Sequence, residues 1–479
     1  MRLENITLTT PYLSLDDEFY KLTKPLPLDK PYLISFSSQA AQLINLDEEC
    51  CKNPKFIEIL NGTLNFKDSK PFAMCYAGHQ FGNYNPWLGD GRTLNLGKTS
   101  GWNLQLKGSG ETYYARTADG RAVIASSIRE YLMSEAMHHL GIPTTRALGV
   151  IGSKTKVLRN QMEDAAIVMR MSTSWIRFGS FEYFYYNKEH EKLKSLAEYV
   201  IAESYPELQG NDDRYFEMFC KVIERTATLI AKWQAIGFCH GVINTDNMSI
   251  EGLTIDYGPF SMLDDFNYNY KPNHTDKIGR YSYGEQPNIS YWNLTMLSKA
   301  LSPLISSERM KEKLDEFGEI IYPKAYINEM REKLGLLEKR DDDIELIREL
   351  VGALQDAYVD HTLFFRTLSH YNGDREPLYD ICMEPVVIDN WLKLYDERLS
   401  VEIREDNERQ KAMLAKNPKY ILKNYMLEKA INLAKNGNFK MVDELLYIAQ
   451  NPYEELSEFE HFANDTPEEY KNIGLSCSS

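Results

Sequence analysis

Two short polar segments in the middle of the chain, residues 240–247 and 254–258, constrain the fold most. The first follows directly after a long amphipathic stretch with helical spacing, residues 215–236. Asn247 and Asp256 stand nine residues apart, and amide and carboxylate oxygens are ligands of hard divalent cations. The pattern therefore predicts two loops that follow a long helix and hold a metal ion and a nucleotide.

The same spacing matches the catalytic and metal loops of protein kinases, which read H-R-D-x-x-x-x-N and D-F-G. His240 is expected to be structural, Asn247 falls at the metal-ligand position, and Asp256 begins the second motif. The position of the kinase base is Val242, and an aliphatic side chain cannot accept a hydroxyl proton. Asp246 is the only nearby acid that can replace it, with a simple Asx turn as the alternative. The register with the other motif residues favours a base.

Composition argues against several classes of partner. The 479 residues carry 70 acidic side chains and 54 Lys or Arg side chains, a net charge of −16. This charge repels nucleic acid and anionic membrane surfaces at long range. No run of about 18 apolar residues suggests a membrane span, and the first residues resemble neither a signal peptide nor a transit peptide. We expect a cytoplasmic monomer, with its seven cysteines reduced because none forms a C-x-x-C pair.

Pattern and composition divide the chain into four parts. Residues 1–70 mix Pro-rich turns with short amphipathic pieces and are predicted to be an N-terminal extension. Residues 71–185 have strand patterns on both sides of a helix at about 123–140, as expected for a kinase-like small lobe. Residues 186–330 are mainly helical and contain the two loops, and residues 331–479 form a helical C-terminal region. The predicted fold class is α+β, a protein-kinase-like two-lobe fold with terminal extensions.

Lys107 ends an alternating strand, residues 102–107, and a Gly-Ser-Gly turn follows it. A lysine in this place can reach a phosphate, as the strand lysine of kinases does. An ordinary exposed lysine is the alternative, and the helix and loops downstream favour the first interpretation. Two further turns could cradle phosphate through backbone N–H groups, although Asp-Gly turns are also common in hairpins. They contain Gly89, Gly91 and Arg92 in the first turn, and Asp119 and Gly120 in the second.

Other charged side chains could complete a phosphate site. Glu130 and Glu135 on the predicted helix could each pair with Lys107. Helical periodicity places Glu135 on the apolar side of this helix and Glu130 well away from it. Arg170 ends the second strand pattern, at 165–170, and Arg177 lies seven residues further along the chain. Both could clamp phosphates at a lobe junction, although surface arginines are commoner.

Together these stretches resemble the selenoprotein O family of kinase-like protein adenylyltransferases, and the chain is identified as a bacterial member with Cys in place of selenocysteine. The match extends over essentially the whole chain and rests on long motifs. The matching segments are residues 76–82, 88–92, 105–108, 119–123, 126–132, 141–148, 176–179, 240–260, 417–420 and 424–425.

The resemblance implies that the protein binds ATP as co-substrate in a flipped orientation and transfers AMP to Ser, Thr or Tyr hydroxyls of protein substrates. UTP could serve in a related uridylyl transfer. Asp246 would then be the proton acceptor, and Asn247 and Asp256 would bind Mg²⁺ or Mn²⁺. The implied nucleotide contacts are Gly89, Gly91, Arg92, Lys107, Asp119, Gly120, Arg170, Arg177 and Asp256.

Two points of the resemblance differ from the pattern or stay open. The ion-pair glutamate of the family matches Glu130, against the Glu135 that periodicity favours, so the partner of Lys107 is undecided. Many eukaryotic members end in Cys-x-x-selenocysteine, whereas Gly474 and Cys477 occupy those two positions here. No redox pair can form between them, and redox control by that route is not expected.

Two other functions remain open at this point. The kinase-like metal loops also suit a phosphotransferase, and a pseudokinase that only binds nucleotide would keep the same residues. ATP labelled at the α- or the γ-phosphate separates transfer of AMP from transfer of phosphate. A scaffold would show nucleotide-dependent melting without any labelled product.

Overall fold

Almost all strands lie in the first part of the chain. The computed structural model describes residues 3–471 and 474–475. Its strands are β1 (Tyr20–Leu22), β2 (Tyr32–Phe36), β3 (Phe72–Met74), β4 (Gly78–Gln80), β5 (Asn83–Asn85), β6 (Thr93–Thr99), β7 (Trp102–Lys107), β8 (Ala122–Val123), β9 (Arg146–Leu158), β10 (Met162–Ser172), β11 (Phe238–Cys239) and β12 (Ser261–Met262). Within the described chain, eight strands form an antiparallel sheet in the order β1-β3-β6-β7-β10-β9-β2, with β8 paired to β10. The strands predicted at 102–107 and 165–170 are confirmed as β7 and part of β10.

The two faces of β7 have different surroundings, which explains its alternating sequence. Leu104 and Leu106 are fully buried in the core on one face of the sheet. Gln105 and Lys107 therefore point to the opposite face, because successive side chains of a strand alternate. Arg170 of β10 stands directly opposite Gln105 in the register of the sheet. This register brings two cationic side chains to the same face of the central strands.

The other described elements are mainly helical. The helices are α1 (Ser38–Leu43), α2 (Pro54–Leu60), α3 (Ile124–His139), α4 (Phe178–Tyr186), α5 (His190–Ser204), α6 (Arg214–Ile236), α7 (Gln286–Leu301), α8 (Ser307–Glu316), α9 (Tyr322–Lys333), α10 (Asp343–Ala357), α11 (His361–Leu368), α12 (Glu376–Tyr379), α13 (Pro385–Leu399), α14 (Asp406–Lys416), α15 (Asn424–Lys435) and α16 (Lys440–Gln450). Together with the sheet they confirm the predicted α+β class. None of the helices described has both the length and the apolar character that crossing a bilayer requires.

Helix α6 leads the chain into the two loops. It is amphipathic, as predicted for residues 215–236, and it ends at Gly237, whose φ of +77° gives the left-handed cap that favours glycine. The next residues form β11, which pairs with β12 in the register Phe238 to Met262 and Cys239 to Ser261. Residues 240–260 are thus closed into one compact connection between two paired strands. This pairing brings the two predicted loops together.

Three apolar cores hold the elements in place. One core joins α3 and a face of the sheet to helices that include α6 and α15. A second lies among the C-terminal helices and contains the buried side chains of Phe364 and Phe365. The third covers the other face of the sheet with α1, α2 and their connections. The predicted N-terminal extension, residues 1–70, also contributes β1 and β2 to the sheet.

Helix α3 is buried on almost every side, because it packs on β9 and β10 and is covered by α15 and α16. Glu135 lies on its β9 side. Its Oε1 accepts from Arg146 Nε at 2.8 Å, and its Oε2 accepts from Arg146 Nη2 and from Ser37 Oγ, both at 2.7 Å. This fully buried pair connects the helix to the sheet and to the N-terminal segment.

Replacing Glu135 tests that connection. Glu135→Ala should lower the free energy of unfolding by about 3–5 kcal/mol, because it leaves the Arg146 guanidinium buried without its carboxylate. Urea titration followed by circular dichroism measures the loss. Glu349→Ala, an exposed position on α10, is the control and should change stability by less than about 0.5 kcal/mol. A loss below about 1 kcal/mol for Glu135→Ala would contradict a structural role for the pair.

Candidate active site

Five charged side chains meet where the sheet, α3 and the connection between β11 and β12 converge. Lys107 Nζ lies 2.7 Å from Glu130 Oε2 and 3.1 Å from Asp256 Oδ1. Arg170 Nη1 lies 2.6 Å from Glu130 Oε1 and 2.6 Å from Asp256 Oδ1. Arg177 Nη1 lies 2.7 Å from Asp256 Oδ2. We call these five residues the Asp256 cluster; its three cations and two carboxylates leave one net positive charge.

Glu130 is therefore the partner of Lys107, and the periodicity argument for Glu135 was wrong. Periodicity identifies the side of a helix that is buried, but α3 is buried on nearly all sides, so both glutamates are inside. Glu135 is engaged by Arg146 on the β9 side, whereas Glu130 points to the end of β7. The residue that the family resemblance indicated is the one in contact.

Two aromatic rings and a glutamine hold the arginines of the cluster. The Arg170 guanidinium lies 4.6 Å from the centre of the Trp175 ring, and the Arg177 guanidinium lies 4.5 Å from the Tyr76 ring. Arg170 Nη2 also donates a hydrogen bond to Gln105 Oε1. Cation–π contacts are strongest where the cation is shielded from water, as both arginines are here. The two guanidinium groups are therefore fixed before any ligand binds.

The cluster keeps Asp256 ionised although its side chain is largely shielded from solvent. Burial by itself would raise the pKa of Asp256, but Lys107, Arg177 and Arg170 outweigh it and hold this pKa well below its usual range. Burial lowers the pKa of Lys107, because it disfavours the charged ammonium, and the carboxylates of Glu130 and Asp256 oppose this only in part. Asp256 also has φ = +57°, a left-handed conformation that costs energy outside glycine. A residue held in that conformation by its side-chain contacts is typical of a functional loop.

Asp246 lies beside the cluster in a different environment. Its Oδ2 accepts a hydrogen bond from Gln80 Nε2 at 3.2 Å, and its buried Oδ1 has no hydrogen-bond partner among the described residues. Burial raises the pKa of Asp246 to about 7, and the nearby Arg177 opposes the rise. Arg177 Nη1 also donates to the main-chain carbonyl of Asp246 at 2.7 Å. Asp246 is thus a carboxyl group that can hold or release a proton near neutral pH, with one oxygen that has no hydrogen-bond partner in the described chain.

Two glycines, one in β4 and one in α4, allow these elements to approach Asp246 closely. A Cβ at Gly78 would lie 2.9 Å from Asp246 Oδ1, and a Cβ at Gly179 would lie 2.0 Å from the carbonyl oxygen of Ala77. The main-chain N–H of His79 also donates to Thr245 Oγ1 at 2.7 Å. These contacts fix the loop that carries Asp246 against the β4–β5 hairpin.

The remaining loop residues have structural partners that fit their expected positions. His240 is buried, stacks on Trp233 with ring centres 5.3 Å apart, and its Nε2 lies 3.0 Å from the carbonyl oxygen of Ile255. The ring thereby connects the two loops, in agreement with a structural role. Asn247 Nδ2 donates to the carbonyl oxygen of Val242 at 3.0 Å. The side-chain oxygen of Asn247 is the part of this residue that can serve as a ligand.

The turn with Gly89, Gly91 and Arg92 lies next to the end of β7. Gly108 N donates to the carbonyl oxygen of Arg92 at 2.8 Å. Gly89 has φ = +66°, and a Cβ there would lie 2.4 Å from the Tyr114 ring. The Arg92 side chain is exposed, and its charge is near enough to add to the effect of burial in lowering the pKa of Lys107.

The turn with Asp119 and Gly120 lies next to the glycine turn that follows Lys107. Gly110 N donates to the carbonyl oxygen of Gly120 at 3.1 Å. The Asp119 side chain is exposed and pairs with Arg159, with Nη1 2.7 Å from Oδ2. The structure therefore gathers both turns around the end of β7, but it shows Asp119 in an ion pair on the surface rather than in the Asp256 cluster.

The donor set fits a divalent cation only in combination with phosphate oxygens. No three His, Cys, Asp or Glu side chains of residues 3–471 and 474–475 come together as a metal site. Asp256 Oδ1 accepts from two cations, whereas Oδ2 accepts from Arg177 alone and keeps a lone pair. The Asn247 oxygen is a second donor. Mg²⁺ is commonly held by one or two protein oxygens together with substrate phosphates and water, so these residues fit such an ion.

Sequence reasoning missed Tyr76, Gln80 and Gln105 as parts of this site. Tyr76 and Gln80 belong to the segment 76–82, which was noticed only as part of the family match. Gln105 shares the alternation of β7 with Lys107, and this period of two was the signal that could have identified it. Cys477 lies outside the described residues.

Comparison with known proteins adds an independent finding. The family model described as Protein adenylyltransferase SelO matches residues 2–450. A protein of Myxococcus xanthus named Protein nucleotidyltransferase YdiU is 43% identical and covers 100% of this chain and 99% of its own length. Proteins of the same name from Pseudomonas fluorescens Pf-5 and Thioalkalivibrio sulfidiphilus are 44% and 45% identical, over 100% of this chain and 99% and 100% of their own lengths.

Titration of Asp246 should be visible in stability. The pKa of Asp246 in the folded protein, about 7, exceeds its usual value of 3.8. Between about pH 4 and pH 7 this side chain is therefore ionised in the unfolded chain but still mostly protonated in the folded protein. The free energy of unfolding of the wild type consequently falls as the pH rises through this range. Asp246→Asn removes this penalty. The variant should be more stable than the wild type by roughly 2–4 kcal/mol at pH 8, with little difference near pH 4.

Urea titrations at several pH values measure this difference. Asp341→Asn, at an exposed position, is the control and should show no such dependence on pH. A stability gain of Asp246→Asn that is the same at pH 5 and pH 8 would mean that the folded carboxyl does not titrate near 7.

Proposed function

The chain belongs to the SelO family of protein adenylyltransferases, and from this premise we propose that it transfers AMP from ATP to a hydroxyl group of a protein side chain, with release of pyrophosphate. One observation carries the proposal. A buried carboxyl group with a free oxygen and a pKa of about 7, Asp246, lies beside a cluster of three fixed cations, and no acid stands at the kinase base position.

The fold that we propose is the protein-kinase-like arrangement of two lobes. Residues 71–185 would form the small lobe and residues 186–330 the large lobe, with residues 1–70 and 331–479 as extensions. Support comes from the antiparallel sheet with α3 on one face and from α6, which leads into the two loops. The Lys107–Glu130 pair between a strand and a helix is the ion pair that kinases form between their strand lysine and a helix glutamate.

ATP would bind between the two lobes with its phosphates on the Asp256 cluster. Lys107, Arg170 and Arg177 are the cations that we assign to the polyphosphate, and their net positive charge with the cluster carboxylates supports this. Backbone N–H groups of glycine turns stabilise phosphate oxygens. The further nucleotide contacts that we propose are Gly89, Gly91, Arg92, Asp119 and Gly120.

Asn247 and Asp256 are the residues that we assign to a divalent cation, Mg²⁺ or Mn²⁺. Their oxygens would complete a coordination shell that phosphate oxygens and water mostly fill. When bound, such an ion neutralises phosphate charge and stabilises the charge of the departing pyrophosphate.

Asp246 would act as the general base. The acceptor hydroxyl gives its proton to the Asp246 carboxylate while its oxygen forms a bond to the α-phosphorus. The bond from the α-phosphorus to the oxygen that bridges it to the β-phosphate breaks, and pyrophosphate leaves with that electron pair. The products are an AMP-modified side chain, pyrophosphate and a protonated Asp246. A base with a pKa near the working pH is the efficient choice for this transfer.

The flipped orientation of ATP that the family implies accounts for the choice of the α-phosphate. The acceptor meets the α-phosphorus if the γ-phosphate lies deep among the cations. Val242 is buried, and it offers no proton acceptor to a hydroxyl group in the position that kinases use. We also propose that the protein acts as a cytoplasmic monomer and that UTP is a possible second donor.

Labelled nucleotides test the proposed reaction. The purified protein is incubated with a cell lysate, Mg²⁺ or Mn²⁺, and ATP labelled at either the α- or the γ-phosphate. We expect proteins to acquire the α label only. Acquisition of the γ label would indicate a phosphotransferase, and nucleotide-dependent melting without any label would indicate a binding scaffold. The same assay with α-labelled UTP tests the second donor.

Asp246→Asn tests the base. The amide keeps the size of the side chain but accepts no proton, so α-label transfer should fall by roughly 10²–10⁴-fold. ATP should still raise the melting temperature to nearly the same extent as in the wild type. Transfer at the wild-type rate would refute the assignment of the base.

Lys107→Met tests the orientation of the phosphates. Because we assign Lys107 to the terminal phosphates, the variant should lose much more affinity for ATP and ADP than for AMP. Isothermal titration with the three nucleotides measures this, and Lys67→Met, at an exposed position, is the control. Equal losses for all three nucleotides would indicate that Lys107 only supports the fold.

A further inference from the structure

Arg280 is a cation without an anionic partner near Asp246. No carboxylate of the described chain lies within 4.0 Å of its guanidinium, and its buried Nε and Nη2 have no hydrogen-bond partner there. The guanidinium lies 4.6 Å from the Trp292 ring and 5.8 Å from the Tyr281 ring. Asp276, four residues earlier in the chain, uses its two oxygens to accept hydrogen bonds from the main-chain N–H groups of Arg280 and Tyr281, at 3.0 and 2.7 Å. The positive charge is therefore fixed in place and not neutralised.

The β4–β5 hairpin connects Arg280 to the proposed base. Gln80 donates a hydrogen bond to Asp246. Two residues further along, the turn of the same hairpin contacts Arg280, since a Cβ on Gly82 would lie 3.7 Å from Arg280 Cζ. Two residues span at most about 7 Å. Phe81 in this turn has φ = +50° and is 39% exposed, and its N–H donates to Tyr281 Oη at 2.9 Å. A bulky residue held in this strained and exposed state next to a site indicates a functional surface.

A row of aromatic rings continues from Arg280 to a second group of cations. Trp292 lies 5.4 Å from the His79 ring, which lies 5.9 Å from Tyr186. The Lys299 ammonium lies 5.4 Å from the Tyr186 ring. Trp292 and Lys299 are seven residues apart on α7, so they share one side of the helix at a distance of about 10 Å.

Lys299 lines an open cleft of about 680 Å³ together with Tyr186, Lys188 and His190. Lys188 and Lys299 are exposed, and neither has an acidic side chain within 4.0 Å among residues 3–471 and 474–475. In a chain with a net charge of −16, most cations have acids nearby, so unpaired cations on one face point to an external anion. We call Arg280, Trp292, Tyr186, Lys188 and Lys299 the acceptor face.

We propose that the acceptor face binds an acidic segment of the protein that receives AMP. This inference rests on the proposed function and specifies its substrate class. A carboxylate near the acceptor hydroxyl binds the partly exposed Arg280. A second carboxylate binds Lys299. The contacts along this row limit the separation of the two cations to about 21 Å. An extended peptide rises about 3.3 Å per residue, so the two acidic residues lie at most about six positions apart.

Synthetic peptides test this substrate class. Each peptide contains one serine and two glutamates, and the set varies both the spacing of the glutamates, up to about six positions, and their offset from the serine. A matched set has glutamine in place of glutamate. With α-labelled ATP, the best glutamate peptide should have a kcat/KM roughly 10- to 100-fold above its glutamine counterpart, the range for hydrogen bonds to charged groups. Equal rates for the two sets would overturn the proposal.

Variants identify the cation responsible. Arg280→Gln should lower the ratio of glutamate to glutamine rates by at least about ten-fold, and Arg280→Glu should reverse the preference towards peptides with lysine in place of glutamate. Lys277→Gln removes an exposed charge from the same segment and should keep the wild-type ratio. If neither Arg280→Gln nor Lys277→Gln changed the ratio of glutamate to glutamine rates, the result would show that Arg280 does not bind the acidic residues. ATP-dependent melting checks that each variant is folded.

Peptide binding separates this inference from the proposed reaction. Fluorescence polarisation with labelled peptides and a non-hydrolysable ATP analogue needs no transfer of AMP. Preferential binding of the glutamate peptides that is lost in Arg280→Gln would support the acceptor face. If no protein acquired the α label in the lysate, that result would count against the proposed reaction alone. Labelled proteins in the lysate together with equal binding of both peptide sets would count against the acceptor face alone.

Discussion

The buried ion pairs around Asp256 are the interaction on which the rest of the structure depends. They join the central strands through Lys107 and Arg170, helix α3 through Glu130, and the start of α4 through Arg177. Removing an ion from water costs several kcal/mol unless it is closely paired. All four elements must therefore be in their places together, and the sheet, the helix and the loops form one connected support. The positive charge left over is the feature that supports the proposed binding of polyphosphate at this cluster.

Two aspartates in the same connection between paired strands have opposite environments. Asp256 is surrounded by cations and stays ionised, whereas Asp246 is buried with one weak donor and has a pKa raised to about 7 by that burial. The same chemical group thus serves two purposes, one as a fixed negative charge and the other as an exchangeable proton site. Environments that push the pKa values of two acids apart are the usual way to assign such roles. The replacement of the kinase base by Val242 agrees with this division.

The β4–β5 hairpin contacts both Asp246 and Arg280. On one side Gln80 contacts Asp246, and on the other the turn at Gly82 lies under Arg280. Glycine at position 78 permits the close approach on the inner side, and the strained Phe81 marks the turn. In the proposed function, acceptor recognition and proton transfer would therefore share one structural unit.

Local pattern in the sequence determined much of this protein. Alternation identified β7 with Lys107 at its end, helical spacing identified α3 and α6, and motif spacing identified Asp246 and Asp256, because these signals depend on neighbours along the chain. Periodicity could not decide between the glutamates of α3, since a helix buried on all sides has no distinctive face. Nor could the sequence show that the hairpin at residues 78–85 lies beside a loop more than 160 positions later. Contacts between distant segments, and the pKa values that burial among them produces, were decided only by the tertiary structure.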